Sequence, residues 1–183
     1  IRASIGEMFG IPHGQVVTGQ LVASLKKLGF DKVFDTNMAA DLTTVEEAKE
    51  LVQRVKENKP LPMFTSCCPA WVKFAEHFYP EILPHISTCK SPQQMFGPIL
   101  KTYFSDKVKI DPAKIVTVAV MPCSAKKFEC NRPEMKSSGY KDVDYGLTTR
   151  ELAQMIKEAG INLPELNDSD FDHPLGLGSG AGL

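Results

Sequence analysis

Two adjacent cysteines, Cys67 and Cys68, lie within the stretch TSCCPAW at residues 65–71. Neighbouring side chains rarely point the same way, so the two thiols are expected to serve different purposes. A second stretch, MPCSAKKFE at 121–129, places Cys123 shortly before a pair of lysines. Cationic neighbours favour the thiolate, and thiolates bind zinc, copper(I) or iron–sulfur clusters. Together the two stretches predict a metal or redox site.

The five cysteines fit no other cysteine chemistry well. Their number is odd and their spacing matches no disulfide framework. Structural zinc sites use close C-x₂₋₄-C pairs, and thioredoxin-type redox sites use C-x-x-C; this chain has neither. A cysteine nucleophile needs a histidine partner, and none of the four histidines has a convincing context. Cys123 alone would be interpreted as a small buried hydrophobic residue; the second cysteine stretch favours the metal site.

Composition limits the class of protein. The 183 residues suit one domain with a real core, and 43% of them are apolar. A net charge of −1 with mixed signs gives no nucleic-acid footprint. The longest apolar run, about 115–121, is too short to span a bilayer. No signal peptide is visible, which favours a reduced, cytoplasmic location. The first residue is not Met and the chain stops in LGLGSGAGL, so a fragment is expected.

Hydrophobic periodicity predicts alternating helices and strands, and therefore an α/β fold with mostly parallel sheets flanked by helices. The predicted helices are 13–30, 43–58, 69–79, 91–105 and 148–160, and the predicted strands are 32–36, 61–66, 114–122 and 142–147. Capping boxes are predicted at Thr44 with Glu47 and at Thr148 with Glu151. Sites in such folds form beyond the carboxyl ends of strands. Both cysteine stretches directly follow a predicted strand.

The two cysteine stretches closely resemble the first two of the three signature motifs of the iron-iron hydrogenases. Three further stretches also resemble this family: IRASIGEMFG at the start, KSPQQMFG at 90–97 and GLGSGAG at 176–182. The resemblance covers essentially the whole chain. It implies an iron-iron hydrogenase large-subunit-like fold that is incomplete, with 1–183 forming a partial catalytic domain truncated at both ends.

The resemblance implies a cofactor, the H-cluster. In the family this is a 4Fe–4S cubane joined through a cysteine sulfur to a two-iron subsite that carries carbon monoxide, cyanide and a bridging dithiolate. By resemblance, Cys68 and Cys123 are cubane ligands. A cubane normally takes four thiolates, and the other two belong to a third motif that this sequence does not contain. Cys89 and Cys130 match no ligand position and are expected to be structural.

The resemblance also implies a proton relay through Cys67, Glu47, Ser87 and Glu50. Glu47 and Glu50 are three residues apart on a predicted helix and share a face. From residue types and spacing alone, Glu47 would belong to the predicted capping box, and Glu50 could pair with Arg54 at i,i+4. Without the resemblance, both glutamates would be interpreted as ordinary helix surface.

Four more residues resemble positions around the two-iron subsite. Lys126 resembles the lysine that contacts a cyanide ligand, and an ammonium group suits that negative charge. Met121, Gln93 and Pro122 match positions that line the subsite. The alternatives are core packing for Met121 and Gln93, a role in shape alone for Pro122, and solvated surface for Lys126.

The implied function is reversible reduction of protons to dihydrogen, with electrons from ferredoxin or a similar iron–sulfur carrier. Maturation proteins that supply the two-iron subsite are implied as partners. One alternative is a hydrogenase-like iron–sulfur assembly factor, which would have no need of Cys67, Lys126 or Gln93. Another is an H-cluster sensor without significant turnover, which often departs from the relay residues. All four relay positions are present here, so the sequence favours the enzyme.

Overall fold

The computed structural model describes residues 1–174 and 178–179 of the chain. Its α-helices are α1 Thr18–Lys27, α2 Asn37–Lys56, α3 Pro69–Phe78, α4 Pro92–Ile99, α5 Ser105–Val108, α6 Ala125–Glu129 and α7 Thr149–Glu158. Its strands are β1 Val118–Val120 and β2 Tyr145–Leu147. Short 3₁₀ helices lie at Gly6–Phe9, Pro80–His85, Pro112–Lys114 and Leu163–Glu165, and a π-helical segment spans Leu100–Phe104. Most of the predicted GLGSGAG motif at 176–182 lies outside the described residues.

The predicted parallel pairing is confirmed, but the strands are shorter than predicted. β1 and β2 pair in parallel, with Val118 opposite Tyr145. The predicted strands 32–36 and 61–66 form only single parallel bridges, at Phe34 with Asp172 and at Phe64 with Ile86. Both predictions of a full strand were wrong. Beyond each bridge, a side chain forms a hydrogen bond with a backbone group that a longer strand pair would have used. The Asp172 carboxylate accepts from a backbone N–H at 2.9 Å, which ends one ladder.

The second helix begins earlier than predicted. α2 starts at Asn37, not at residue 43, so Thr44 and Glu47 lie inside the helix. Thr44 donates its hydroxyl to the carbonyl of Ala40 at 3.0 Å, the usual bond of a threonine within a helix. The predicted capping box at Thr44 and Glu47 is therefore wrong. Residues 38–42 contain Met, Ala and Leu, good helix formers that extend the helix past the apparent cap.

The other predicted capping box is confirmed. Thr148 caps α7: its hydroxyl accepts the Glu151 N–H while the Glu151 carboxylate accepts the Thr148 N–H at 2.8 Å. The pKa of Glu151 falls to about 2, first because Lys127 donates to it and then because of the Thr148 hydrogen bonds. α7 contributes Leu152 and Ile156, both fully buried, to the hydrophobic core.

The core lies between α1, α7 and the loops around them, away from the cysteine stretches. Its buried members are Ile5, Val17, Leu21, Val22, Leu25, Val33, Leu152, Ala153, Ile156, Ile161 and Leu163. The predicted site residues, all described by the structure, are not among them. The hydrophobic core thus stabilises the scaffold, and a second set of contacts positions the site.

That second set centres on α4, which packs against α2. Ser91 caps α4 and accepts the Gln94 N–H, and Pro92 occupies the first turn. The hydrogen-bond pattern changes just beyond Pro98, where the π-helical segment begins. Gly97 lets α4 approach the loop before β2 so closely that a Cβ would lie 2.2 Å from the carbonyl oxygen of Asp142.

Two buried ion pairs hold the loop before β2 in place. Asp142 is fully buried and binds the Lys90 ammonium at 2.6 Å. Lys101, also buried, binds Asp144 at 2.9 Å and the Lys141 carbonyl at 2.6 Å. These pairs anchor β2 beside β1, and so fix the strand end from which Cys123 follows. In the described part of the chain, no helix is long and apolar enough to cross a membrane.

We predict that Gly97→Ala destabilises the chain by about 3 kcal/mol, the upper end of the range for overpacking. The added methyl group would collide with backbone, which cannot rotate away as a side chain can. Urea unfolding followed by circular dichroism measures the free energy of unfolding.

Gly10→Ala is the matched control. Gly10 has a φ of 78° but open space around its Cβ position, so we expect a loss of only about 1 kcal/mol from the left-handed conformation. Equal losses in the two variants would show that α4 does not depend on this close approach.

Candidate metal centre and proton path

The structure brings the two cysteine stretches together. Cys68 has extended backbone and is the residue before α3, which begins at Pro69. Cys123 lies beyond the carboxyl end of β1, just before α6, and α6 packs against α3. The Lys126 ammonium on α6 donates to the carbonyl oxygen of Cys67 at 2.6 Å. The predicted meeting of two strand-end loops is therefore observed, although residues 61–66 do not form a full strand.

The thiols of this region are free and accessible. Cys67 and Cys68 are exposed and Cys123 is half-buried. Among the described residues, no group of three or more His, Cys, Asp or Glu side chains could hold a metal ion. The described chain thus offers thiol ligands but not a complete metal site.

Lys126 is held in place by two groups. Besides the Cys67 carbonyl, its ammonium lies 3.4 Å from a carboxylate oxygen of Glu129, one turn along α6. Glu129 is buried and also accepts the Ser91 hydroxyl at 2.8 Å. Solvated surface, the alternative interpretation of Lys126, does not hold, because only 15% of its side chain is exposed. Sequence reasoning missed Glu129 and Ser91, although the i,i+3 spacing of Lys126 and Glu129 was a usable signal.

Gln93 is buried on α4 next to α6. Its amide nitrogen donates to the Lys126 carbonyl and to the Cys130 sulfur, both at 3.1 Å. Its amide oxygen is buried and has no hydrogen-bond partner in the described part of the chain. Cys130 is buried against Gln93 and Gln94, and burial raises the pKa of its thiol. Those contacts are what a structural cysteine would make.

Met121 and Pro122 lie between β1 and Cys123. Met121 donates its N–H to the Leu147 carbonyl at 2.8 Å and so continues the β1–β2 pairing by one bond. Its side chain is half-buried, and Pro122 is exposed. Both residues lie on the same strand-end segment as Cys123.

Two of the four predicted relay residues, Ser87 and Glu50, are in direct contact. The Ser87 hydroxyl donates to Glu50 at 2.7 Å, and Arg54 donates to it at 2.7 Å and 3.0 Å. The Thr88 N–H is also directed at this carboxylate, at 3.0 Å. Burial alone would raise the pKa of Glu50, but these hydrogen bonds outweigh it and lower the pKa. The predicted i,i+4 pair with Arg54 is confirmed, though as a nearly buried pair rather than as helix surface.

Glu47 differs from Glu50. Burial raises the pKa of its carboxyl, the N–H of Ser66 opposes that shift, and the charge of Glu50 adds to it. One carboxylate oxygen of Glu47 is buried without a hydrogen-bond partner among the described residues. Within those residues, no hydrogen bond joins Glu47 to Ser87 or to Cys67. The structure therefore connects Glu50 with Ser87 directly and places Glu47 beside Ser66, the neighbour of Cys67.

Two residues that sequence reasoning did not assign to the relay hold its segments together. Ser66 is buried and donates its hydroxyl to the Cys89 carbonyl. Cys89 donates its N–H to the Ser87 hydroxyl oxygen at 3.1 Å, and its thiol faces Glu50 at 3.9 Å. Burial raises the pKa of this thiol. Cys89 therefore makes its main contacts within the protein, as expected for a structural cysteine.

Comparison with known proteins identifies the family. The sequence model of the iron only hydrogenase large subunit, C-terminal domain, matches residues 1–183. Iron hydrogenase 1 of Clostridium pasteurianum is 54% identical over 182 residues, covering 100% of this chain and 32% of that protein. The periplasmic [Fe] hydrogenase large subunit of Nitratidesulfovibrio vulgaris is 52% identical, covering 98% of this chain and 43% of that protein. The chain thus spans a third to under half of these relatives.

A second class of relative is more distant. Cytosolic iron-sulfur assembly component 3 of Rattus norvegicus is 39% identical over 178 residues, covering 93% of this chain and 37% of that protein.

Solved structures agree with the sequence comparison. The structure described as stepwise [FeFe]-hydrogenase H-cluster assembly in HydA(deltaEFG) aligns with a TM-score of 0.90 and 44% identity. The alignment covers 98% of this chain and 45% of that one. An α/β fold of this kind, together with the cysteine stretches, leads to one conclusion. The chain belongs to the iron-only hydrogenase large-subunit family and matches its C-terminal domain.

Proposed function

We propose that this chain is the H-cluster-binding part of an iron-iron hydrogenase that reversibly reduces protons to dihydrogen. The observation that supports this best is the contact between the Lys126 ammonium and the Cys67 carbonyl. It joins the two cysteine stretches into one site and places a cation there. Because the chain spans only part of its relatives, residues 1–183 are proposed as a partial catalytic domain.

The residues fit the proposed H-cluster in part. Cys68 and Cys123 are free thiols, the ligand type that iron–sulfur clusters take. Two further cubane ligands would come from outside residues 1–183. The unpartnered amide oxygen of Gln93 is a buried polar atom that needs a hydrogen-bond donor. When bound, the H-cluster would supply the iron and the electrons with which protons and dihydrogen interconvert.

Four residues would face the two-iron subsite. Lys126 would pair its ammonium with a cyanide ligand, because a partly buried cation stabilises that negative charge. Gln93, Met121 and Pro122 would line the subsite and exclude water from it. Gln93 uses its amide nitrogen in two hydrogen bonds within the protein, so the atom that remains unpartnered among the described residues is its oxygen, an acceptor.

Protons would pass between solvent and the site through four side chains. The Cys67 thiol would exchange a proton with the Glu47 carboxyl, and Ser87 would pass it to Glu50. Relay groups must lie within hydrogen-bond reach, directly or through a water. Ser87 meets this condition with Glu50. The raised pKa of Glu47 means that its carboxyl takes up a proton more readily than an ordinary glutamate does, which suits a relay group.

The proposed partners and location follow the family. Ferredoxin or another iron–sulfur carrier would deliver the electrons, and maturation proteins would supply the two-iron subsite. No feature of the sequence suggests nucleic acid as a partner. A cytoplasmic location remains the proposal, although one relative is described as periplasmic.

The alternative is a hydrogenase-like iron–sulfur assembly factor, and the observation in its favour is the 39% identity to such a protein. An H-cluster sensor with little turnover is a further alternative. An assembly factor has no need of a lysine held at the first cysteine of the pair, and that contact is present here. A sensor would retain the cofactor site, so only turnover separates it from the enzyme.

We predict sharp infrared bands in the carbon monoxide and cyanide stretching region from the full-length protein that carries this chain. The protein would be made without oxygen and loaded with a synthetic two-iron complex. Hydrogen evolution from a reduced dye should accompany the bands. Bands without turnover would favour the sensor, and an intact cubane without bands would favour the assembly factor.

We predict that Cys67→Ala in that full-length protein abolishes turnover, a fall of at least 100-fold, and leaves the cubane in place. The thiol would be the proton donor of the relay, and general acid–base steps contribute about 10²–10⁴-fold. Electron paramagnetic resonance of the reduced cubane is the second measurement. Cys68→Ala is the matched control and should lose the cubane. The reverse pattern would mean that the two thiols have each other's roles.

We predict that residues 1–183 alone, supplied with iron, sulfide and the two-iron complex, evolve no hydrogen. Two thiols cannot saturate a cubane that takes four. Gas chromatography of the headspace measures the product, with the full-length protein as control. Turnover by this chain alone would show that its own residues complete the site.

A further inference from the structure

The buried carboxylate of Glu129 lies next to the Lys126 ammonium. Only 5% of the Glu129 side chain is exposed. One of its oxygens accepts the Ser91 hydroxyl at 2.8 Å and lies 3.4 Å from the Lys126 ammonium. A buried carboxylate needs a cation and hydrogen bonds to remain charged. Lys126 and Ser91 are the groups that supply them here.

The contact joins three elements of the site. Ser91 is the N-cap of α4, the helix that carries Gln93, and Lys126 and Glu129 lie one turn apart on α6. The Lys126 ammonium then reaches the carbonyl of Cys67, just before α3. A single line of contacts runs from the start of α4, through Glu129 and Lys126, to the first of the paired cysteines.

The direction of the Ser91 hydrogen bond is determined by its two neighbours. The Ser91 oxygen accepts the Gln94 N–H, as an N-cap does, and its hydroxyl hydrogen is donated to Glu129. Because the N-cap is part of α4, Glu129 is attached to a rigid helix end. Lys126 is thereby held on one side by a fixed carboxylate, and its long side chain loses the freedom that an exposed lysine keeps.

We infer that Glu129 is a positioning residue for Lys126: it holds the ammonium at the Cys67 side of the site, where the proposed cofactor presents its anionic ligand. Ser91 supports Glu129 in this role. The inference rests on the proposed function. Partners that orient a metal-site residue from behind usually matter by roughly 10- to 100-fold.

The neighbouring lysine provides a matched control. Lys127 pairs with Glu151 on the protein surface, where the two side chains are 42% and 45% exposed. Exposed pairs contribute little, because water solvates both charges. Lys127→Met therefore removes a lysine from the same helix without touching the line of contacts through Lys126.

The test is Glu129→Gln in the full-length protein loaded with the synthetic two-iron complex, with Lys126→Met and the double variant alongside. Glutamine keeps the size of the side chain but removes its charge. We expect the cyanide bands to broaden and to move toward their positions in Lys126→Met, with turnover lowered roughly 10- to 100-fold. The double variant should match Lys126→Met, and Lys127→Met should match the parent.

The outcomes are distinguishable. Cyanide bands in Glu129→Gln that coincide with the parent's would overturn the inference and leave the proposed function standing. A further band shift in the double variant would also overturn it, because Glu129 would then act independently of Lys126. A parent protein without bands would overturn the proposed function, and the inference with it. If Glu129→Gln does not fold, Ser91→Ala should produce a smaller shift in the same direction; no shift would contradict the inference.

Discussion

Buried charges that need partners from distant segments organise this domain. Among the described residues, Arg54, Lys101, Glu129 and Asp142 are all at most 5% exposed. Lys101 and Asp142 have ion partners 43 and 52 residues away. Arg54 and Glu129 each combine an ion partner one turn along the same helix with a hydrogen bond to a distant segment. Removing one partner of a buried pair typically costs about 3–5 kcal/mol, because the remaining charge is left without compensation. These pairs therefore restrict which packing of the helices is stable, beyond what the hydrophobic core requires.

These pairs hold the segments that carry the candidate site. Arg54 on α2 donates to the carbonyls of Pro84 and Ile86 as well as to Glu50. It therefore holds the segment that carries Ser87 against α2. Asp142 and Lys101 fix β2, and β2 fixes the strand end that leads to Cys123. The site is thus held mainly by polar contacts around α2, α4 and α6, while the apolar core lies between α1 and α7.

Glu47 is the exception to this rule of compensation. Its neighbour Glu50 is lowered in pKa by three kinds of donor, whereas burial dominates at Glu47 and raises the pKa. Two carboxyls one turn apart on the same helix therefore have opposite shifts. Of the two carboxyls, Glu47 is therefore the one that is easier to protonate. The lowered pKa of Glu50 comes from Ser87 and Thr88, on a segment packed against α2, together with Arg54 of α2 itself.

Features that depend on neighbours along the chain can be recognised from the amino-acid sequence. The α/β class, the capping box of Thr148, the i,i+4 pair of Glu50 and Arg54, and the two cysteine stretches could all be recognised from local spacing. The start of α2 could not be recognised in this way, because Thr44, which resembles a cap, lies inside a longer helix.

Only the tertiary structure decided the contacts that assemble the site. Lys126 and Cys67 are 59 residues apart, and Ser91 and Glu129 are 38 apart. It also decided where the predicted strands stop, since side chains from distant segments take the next backbone donor or acceptor. Such contacts depend on how α3, α4 and α6 pack together. Local hydrophobic period carries no information about them, because many partners along the chain could satisfy the same polar group.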